Sequence, residues 1–518
     1  MSKRIILLIG FLIPVIAFSQ GRRFSYIERR IYDPLDPYTY MPSPANDRLS
    51  SLLFSKLYSR NDEAKPMMDM VKDLTVDPRQ NQTAIISLNS GMKWSDGSPV
   101  TAEDAVFTIG YLKDTTNELH SDELLRKRIR QIESATVLNA TQFKAKFKVP
   151  RSENVWEQCL VFSVLPIKAL TGKALKPSST FSARPIGSGP FRLDDIYGGS
   201  AFSLGRNLSY HGIDRANQLA IESIIASQEP DDNMRIEKLK SRKADMVVEV
   251  PWDQLSVLKS SAEFRVRAYE SLTYYYLGCN LRNEVLKNPL VREAISIGLN
   301  RDRIIKLAFS GAGKPVSGPY PPSSEYTDPD VDPDQYDPDR AMQLLEAAGH
   351  GTNNPVKLRL VYPQEEGSYG NALRTCCNAI RGDCQRIGVQ IELEPIPSQS
   401  QYLEQVFKQK SFDLAFDRWR FYDYLGDPSE LFVSGGYWNY IDYRSLEADA
   451  VIRDFRAAST PDAKKALGKK LHKLIAKERP YVFMFQIYNQ VAWNKRLEGV
   501  RINPFNFFET IPQWKVRD

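Results

Sequence analysis

Leu88 to Ile109 reads LNSGMKWSDGSPVTAEDAVFTI, a strand, a tight turn and a capped helix in quick succession. Ala84, Ile86 and Leu88 recur every second residue, as on a half-buried strand. Asp96-Gly97 marks a turn, because glycine tolerates positive φ and aspartate bonds its own backbone. Thr101 and Asp104 stand three apart as a capping box, and Ala105, Val106, Ile109 and Leu112 follow at helical spacing. Read physically, this is a well-formed strand–helix unit and says nothing yet about function.

Around it lies a chain of 518 residues, long enough for about three domains at roughly 150 residues each. It is 42% hydrophobic and 25% charged, the balance of a folded protein rather than a disordered or membrane-embedded one. Twenty-five Tyr, 24 Phe and seven Trp offer large aromatic surfaces. The net charge of +6 is mild and dispersed, without the basic patches interleaved with aromatics that nucleic acid binding needs. Lys3 and Arg4 precede a 14-residue apolar run, Ile5 to Phe18, and Ala17-Phe18-Ser19 supplies small residues for cleavage after Ser19. Residues 1–19 therefore read as a signal peptide, since a spanning helix needs about 20 apolar residues. No Cys lies near the cleavage site to carry a lipid, and the periplasm is the expected address. Five Cys, an odd count with no C-x-x-C, read as buried free thiols rather than a metal or redox site.

Further along, several blocks have clear local meaning. Leu35-Asp36-Pro37 precedes a loop and a helix carrying Leu49, Leu52, Leu53, Phe54 and Leu57. Ile186-Gly187-Ser188-Gly189-Pro190-Phe191 is a chain reversal, followed by a hairpin around Gly198-Gly199. Tyr274 to Asn280 reads as a buried strand, and Asn288-Pro289 starts a helix with Val291, Ala294, Ile295 and Leu299 inside. Asp302 is the expected cap of the next helix, with Ile304, Ile305, Leu307, Ala308 and Phe309 inside and Gly311 ending it. Asp328 to Arg340, DPDVDPDQYDPDR, invites a calcium reading, but Pro333 occupies the place where an EF-hand loop needs glycine. It reads instead as a proline-bent connection into the helix Arg340–Ala348, capped by Asp337. Leu358–Val361, the helix Tyr369–Ile387 and Ile391–Glu394 alternate as a βαβ unit with a parallel pair. Phe412–Phe416, a polar helix Asp462–Glu478 and a strand Tyr481–Gln486 complete the pass.

The run Leu88, Gly91 to Gly97, Pro99 to Ala102 and Asp104 resembles the signature of the bacterial extracellular solute-binding proteins of family 5. The other blocks resemble that family in the same order, over nearly the whole chain after residue 19. One departure is plain: Ser55-Lys56-Leu57 stands where the family writes E-G-L. The resemblance implies an α/β, two-lobed periplasmic-binding-protein fold, type II in its large three-domain variant, with a ligand cleft between the lobes. It places a discontinuous first domain at 20–48, 186–272 and 488–518, an inserted second at 49–185, and the opposing lobe at 273–487. It implies an exported component of an ABC importer that captures short peptides and delivers them to permease subunits, acting as a monomer and without a cofactor or resident metal. The same scaffold binding an oligosaccharide or a metal complex, or serving a non-transport scaffold role, is the alternative.

Peptide-binding relatives place an Asp after a Trp in the third domain to receive the peptide's α-amino group. The matching run here is Trp419-Arg420-Phe421-Tyr422-Asp423-Tyr424-Leu425-Gly426-Asp427-Pro428, two residues longer. Asp423 is the implied amine anchor and Asp427 its rival. Arg418 is a candidate carboxylate partner, although strand alternation can turn it away from the cleft. Tyr40, Met41 and Ser43 fall on the loop that lines the cleft in relatives. Trp419, Tyr424, Tyr437 and Trp438 are candidate pocket walls. An enzyme is not indicated. The four His are scattered, no G-x-S-x-G elbow exists, and Gly311-Ala312-Gly313-Lys314-Pro315 lacks both the earlier glycine and the Ser/Thr of a phosphate loop.

Overall fold

The computed structural model describes residues 22–517, apart from 32–34, 40–42, 62–64, 116, 118–122, 150, 152–154, 173–174, 177, 213–219, 352, 421–427, 437 and 459. One sheet of eleven strands runs through the molecule: β1 (Arg23–Glu28), β2 (Phe191–Tyr197), β3 (Ala201–Arg206), β4 (Ser223–Gln228), β5 (Met246–Val248), β6 (Phe264–Cys279), β7 (Gly313–Pro315), β8 (Val356–Pro363), β9 (Val389–Ile396), β10 (Leu414–Arg420) and β11 (Tyr481–Asn494). Their spatial order is β9-β8-β10-β6-β11-β5-β1-β4-β3-β2, with β7 also against β11.

Two strands, β6 and β11, belong to both ends of that sheet. Phe264–Glu270 pairs with Tyr488–Asn494 beside β5, while Tyr274–Gly278 pairs with Tyr481–Gln486 beside β10. Between these halves the register breaks, from Glu270 to Tyr274. At the break, the buried Gln486 donates its amide to the Ser271 carbonyl. The first lobe is built on β1–β5. Against it packs a four-stranded antiparallel sheet, Val71–Val76, Thr83–Leu88, Gln142–Phe147 and Ile132–Asn139, and the two share one core. The opposing lobe is built on β8–β10, with β8 and β9 parallel around the helix Gly367–Arg386. Its sheet is covered on both faces, Tyr275, Leu277 and Phe416 packing to one side and Tyr274, Tyr276 and Ala415 to the other.

Local chemistry explains the elements. The helix Ala102–Lys113 has the expected capping box of Thr101 and Asp104, and Asp104 also accepts from the Ile167 backbone at 2.9 Å. Asn288 caps the helix Pro289–Ile297, and Asp337 caps Pro338–Ala347. The following helix, Arg301–Phe309, corrects the reading: Asn300 rather than Asp302 is its cap, and Leu307 points to solvent at 56% exposure. A helix one turn beyond a short linker starts where a side chain can reach its N3 amide, and Asn300 does so at 2.9 Å. The helix α1 spans Pro44–Leu53 and ends before Phe54, so Leu57 lies beyond it. Glycine matters where it ends: a Cβ on Gly187 would stand 2.0 Å from the Leu53 carbonyl oxygen, and one on Gly189 2.6 Å from that of Leu52.

Asp334, in the proline-bent connection, is a structural acid. It accepts from Arg479 at 2.8 and 3.1 Å and from Ser296 at 2.5 Å, which locks the connection to the end of the helix Pro461–Glu478. Among the described residues no group of three His, Cys, Asp or Glu side chains forms a metal cage. All five Cys are buried and unbonded to one another. No helix among the described residues is long and apolar enough to cross a membrane.

His472 is fully buried on the helix Pro461–Glu478. Its Nδ1 accepts from the Asp328 amide at 3.2 Å, so the neutral ring carries its proton on Nε2, facing the Ser317 hydroxyl at 3.3 Å. Burial pulls its pKa down to about 4, against a smaller opposing pull from Asp328.

Three outcomes follow from these contacts. Gly187→Ala should cost about 2–3 kcal/mol by urea denaturation, because backbone rather than a flexible side chain blocks the methyl. Gly110→Ala, in the helix Ala102–Lys113 with open space around it, should instead gain about 0.5–1 kcal/mol. The unfolded His472 titrates near 6.5 and the folded one near 4, so the unfolded state binds more protons between these values and stability falls as pH drops through that window. Relative to His472→Gln, the wild type should lose about 1.5 kcal/mol between pH 6.5 and 5; parallel stability curves would contradict this.

Candidate functional site

A cleft of about 540 Å³ lies between the first lobe and Arg420 of the opposing lobe. One wall comes from α1 and the loop before it. Asp36, fully buried, accepts from the Tyr38 and Thr39 amides at 2.9 Å each and from the Thr39 hydroxyl, which explains the Leu35-Asp36-Pro37 motif as a folded corner. The Tyr38 hydroxyl then donates to the Ser163 carbonyl and ties this corner to the inserted sheet's flank.

Arg48 projects from α1 into the cleft floor. It is buried to 7% exposure and binds Glu28 with two bonds, Nε at 2.6 and Nη2 at 2.7 Å, while Nη2 also reaches Glu249 at 3.1 Å. Its guanidinium lies 5.4 Å from the Phe507 ring centroid, and Phe507 with Tyr269 adds aromatic surface to the same wall. A buried guanidinium needs this pairing, since an uncompensated charge there costs several kcal/mol. The inserted unit contributes Lys56, Arg60, Met67, Met68, Asp69 and Arg128. The opposing lobe contributes Arg420, at the end of β10, whose Nη2 stands 3.7 Å from Asp47 across the cleft.

The residues singled out from the sequence fall as follows. Ser43 caps α1, accepting from the Asn46 amide at 3.1 Å. Arg418 is exposed on β10; its guanidinium stacks 5.1 Å from the Tyr369 centroid and donates to that phenol, which in turn meets the Tyr275 hydroxyl at 2.9 Å. Trp419, on the other face of β10, packs edge-on to Trp438 at 6.2 Å. Neither Arg418 nor Trp419 lines the cleft cavity. Tyr40, Met41, Asp423, Tyr424, Asp427 and Tyr437 lie outside the described residues. Arg48, Lys56 and Arg420 were not reached from the sequence. Strand alternation puts Arg420 on the same face as Arg418 and so gave no signal that Arg420 alone reaches the cleft, and Arg48 reads as an ordinary exposed helix position until its partners 20 and 201 residues away are known.

Beneath this end of β10, Asp417 pairs in register with Tyr276 and faces the Tyr402 phenol. Burial pushes its carboxyl up to about 6, although the Arg418 amide donates to it at 2.7 Å. It is an acid of the supporting layer rather than of the cleft wall.

The back of the joint is fastened differently from its mouth. Arg29 donates to the Glu366 carbonyl at 2.9 Å, and the Ser368 amide donates to Asp232 at 2.7 Å. Lys314 on β7 pairs with Glu270 on β6 at 3.1 Å, beside the register break.

Comparison with known proteins agrees with this architecture. The oligopeptide-binding protein AppA of Bacillus subtilis is 24% identical over 505 residues, covering 89% of each chain. Among solved structures, AppA of Bacillus subtilis in complex with a nonapeptide superposes with a TM-score of 0.74 at 20% identity, covering 96% of this chain and 99% of that one. NikZ of Campylobacter jejuni in complex with Ni(L-His) gives 0.76 at 19% identity, over 96% and 99%. At these identities the structural likeness speaks for the fold alone, and the two neighbours hold different ligands. The model of the bacterial extracellular solute-binding proteins, family 5, matches residues 66–438, and the chain belongs to that family.

Proposed function

We propose that this protein is the substrate-binding component of an ABC importer, exported by its first 19 residues to the periplasm, that captures short peptides between its lobes and presents them to the permease. The observation that carries this reading is the cleft itself. It is walled by α1, the inserted unit and Arg420 of the opposing lobe, and it has the volume of a small-ligand site. Strands β6 and β11 join the lobes through a register break, which is where a hinge bends at least cost to the ladder. The similarity to AppA, an oligopeptide-binding protein by name, favours peptides over the metal complex held by NikZ. The protein is read as binding and releasing its ligand without changing it.

Within that reading, Asp423 receives the peptide's α-amino group, with Asp427 the structural acid before Pro428. Tyr424 and the loop residues Tyr40, Met41 and Ser43 are its further candidate ligand contacts, whereas Arg418, stacked on Tyr369, and Trp419, packed on Trp438, stand outside the cleft cavity. A carboxylate anchor suits an ammonium because the pair forms charge-assisted bonds that strengthen as water leaves.

The test begins with protein lacking residues 1–19. Mass spectrometry of what it releases on denaturation should identify peptides that share a free amino terminus. Asp423→Asn should then weaken their binding at least tenfold in calorimetry while the melting temperature stays within a few degrees. Sugars or a metal chelate in the released fraction would replace the peptide reading, and unaltered affinity in Asp423→Asn would move the anchor elsewhere.

A further inference from the structure

One cation in the cleft has no counter-ion. Lys56 follows the end of α1, and its backbone is held on both sides. Its amide donates to Asp69 at 2.8 Å and its carbonyl accepts from the Met70 amide at 3.0 Å. Its neighbours Ser55 and Leu57 are buried, so the side chain has one direction left, and it lines the cleft. The side chain is half-buried, and its ammonium makes no hydrogen bond or ion pair among the described residues.

The nearby acids are already committed. Asp69 takes the Lys56 amide on one oxygen and His211 Nε2 on the other at 2.9 Å, and Asp47 faces Arg420. Arg60 and Arg128 line the same wall and bring further guanidinium groups to it. Burial holds the lysine below its ordinary range and Arg60 adds to this, while Asp47 and Asp69 offset it only in part. An ammonium in this position is tolerable while the cleft is wet. Closing the cleft removes that water, and an unpaired charge then opposes closure by several kcal/mol. An anion carried in by the ligand removes the penalty and turns it into a preference. Lys56 also stands within the Ser55-Lys56-Leu57 triplet that departs from the family's E-G-L, so this charge belongs to the present chain's own selectivity.

We infer that Lys56, backed by Arg60 and Arg128, forms a carboxylate-recognising subsite, and that the ligands selected are peptides presenting a carboxylate to the inserted-unit wall. This rests on the peptide reading for the identity of the ligand, but not for the anion site. The carboxylate is either an acidic side chain or the peptide's own terminus.

Calorimetry on the protein lacking residues 1–19 separates the cases with a neutral tripeptide, its C-terminal amide, and the same two with glutamate introduced. Charge-removing variants Lys56→Met and Lys56→Gln, and charge-keeping Lys56→Arg, are compared with wild type after checking that each unliganded melting temperature is retained. The expected result is a loss of at least tenfold in either charge-removing variant for carboxylate-bearing peptides. The neutral amide should be unaffected, and Lys56→Arg should stay within about threefold of wild type. Loss that follows glutamate assigns the side chain; loss that disappears on amidation assigns the terminus. Equal losses for all four peptides, or none, overturn the subsite. If wild type binds no peptide, the peptide reading falls by itself, and glutarate decides the subsite alone. Thermal stabilisation by glutarate that vanishes without the Lys56 charge supports it, and an absent or Lys56-independent response overturns it.

Discussion

Strands β6 and β11 lie antiparallel from one end of the molecule to the other, and their pairing is the constraint on which the rest hangs. A continuous ladder of 16 and 14 residues would make one stiff sheet. The break between Glu270 and Tyr274 separates the half beside β5 from the half beside β10, where a second shift follows between Tyr275 and Tyr276. On one side the pair takes β5 as a neighbour, on the other β10. Each lobe therefore completes its own sheet with half of each strand, and neither half can be removed without opening an edge in a core. The Gln486 amide bonded to the Ser271 carbonyl satisfies part of what the break leaves unpaired.

Charged residues buried far from the cleft do a related job at the level of helix ends. Arg292 donates to the carbonyls of Glu478 and Arg479 at 2.7 and 2.9 Å and to those of Leu286 and Lys287 at 2.8 and 2.9 Å, so one guanidinium finishes two helices. Arg301 ties the Ser296 carbonyl, near the end of one helix, to the Phe483 carbonyl of β11. Asp383, fully buried, accepts from the Asn300 amide, Arg303 and Arg386. Each of these groups has hydrogen-bond partners for its charged atoms, whereas the Lys56 ammonium has none among the described residues.

How far this was legible from the sequence depends on how local the determining chemistry is. The capping boxes, the hairpin at Gly198-Gly199 and the βαβ unit of the opposing lobe were readable because each is decided within a few residues. Both long strands were read only in part, 274–280 and 481–486. Tyr274–Cys279 and Tyr481–Phe485 are continuous apolar runs because both faces are covered. Phe264–Glu270 instead alternates with Arg265, Arg267 and Tyr269, and the other half of β11 carries Asn489 and Gln490, so the strand signal changes character at the break. Gly187 and Gly189 were legible as a turn but not as the place where a helix end touches backbone. The cleft was legible only through family resemblance. Arg48 and Asp334 take their roles from partners 20 to 201 residues away, and no local pattern marks them.

The contacts between the lobes are unequal, and that inequality bears on how such a cleft works. At the back, Arg29, Ser368 and Lys314 make short bonds of 2.7 to 3.1 Å beside the shared strands. At the mouth, Arg420 meets Asp47 at 3.7 Å and Lys127 meets Glu430 at 3.8 Å, with Asp47 and Lys127 more than half exposed. Exposed pairs at such distances contribute at most about 1 kcal/mol each. Firm contacts at the back and weak ones at the mouth put little in the way of the cleft opening and closing. A ligand then shifts the balance only by what it binds better in the closed state. Contacts made to both lobes at once meet that requirement, and so does the relief of a charge that closure alone would strand. Selectivity in this molecule accordingly resides less in the strength of any single contact than in which ligands make the closed cleft electrically neutral.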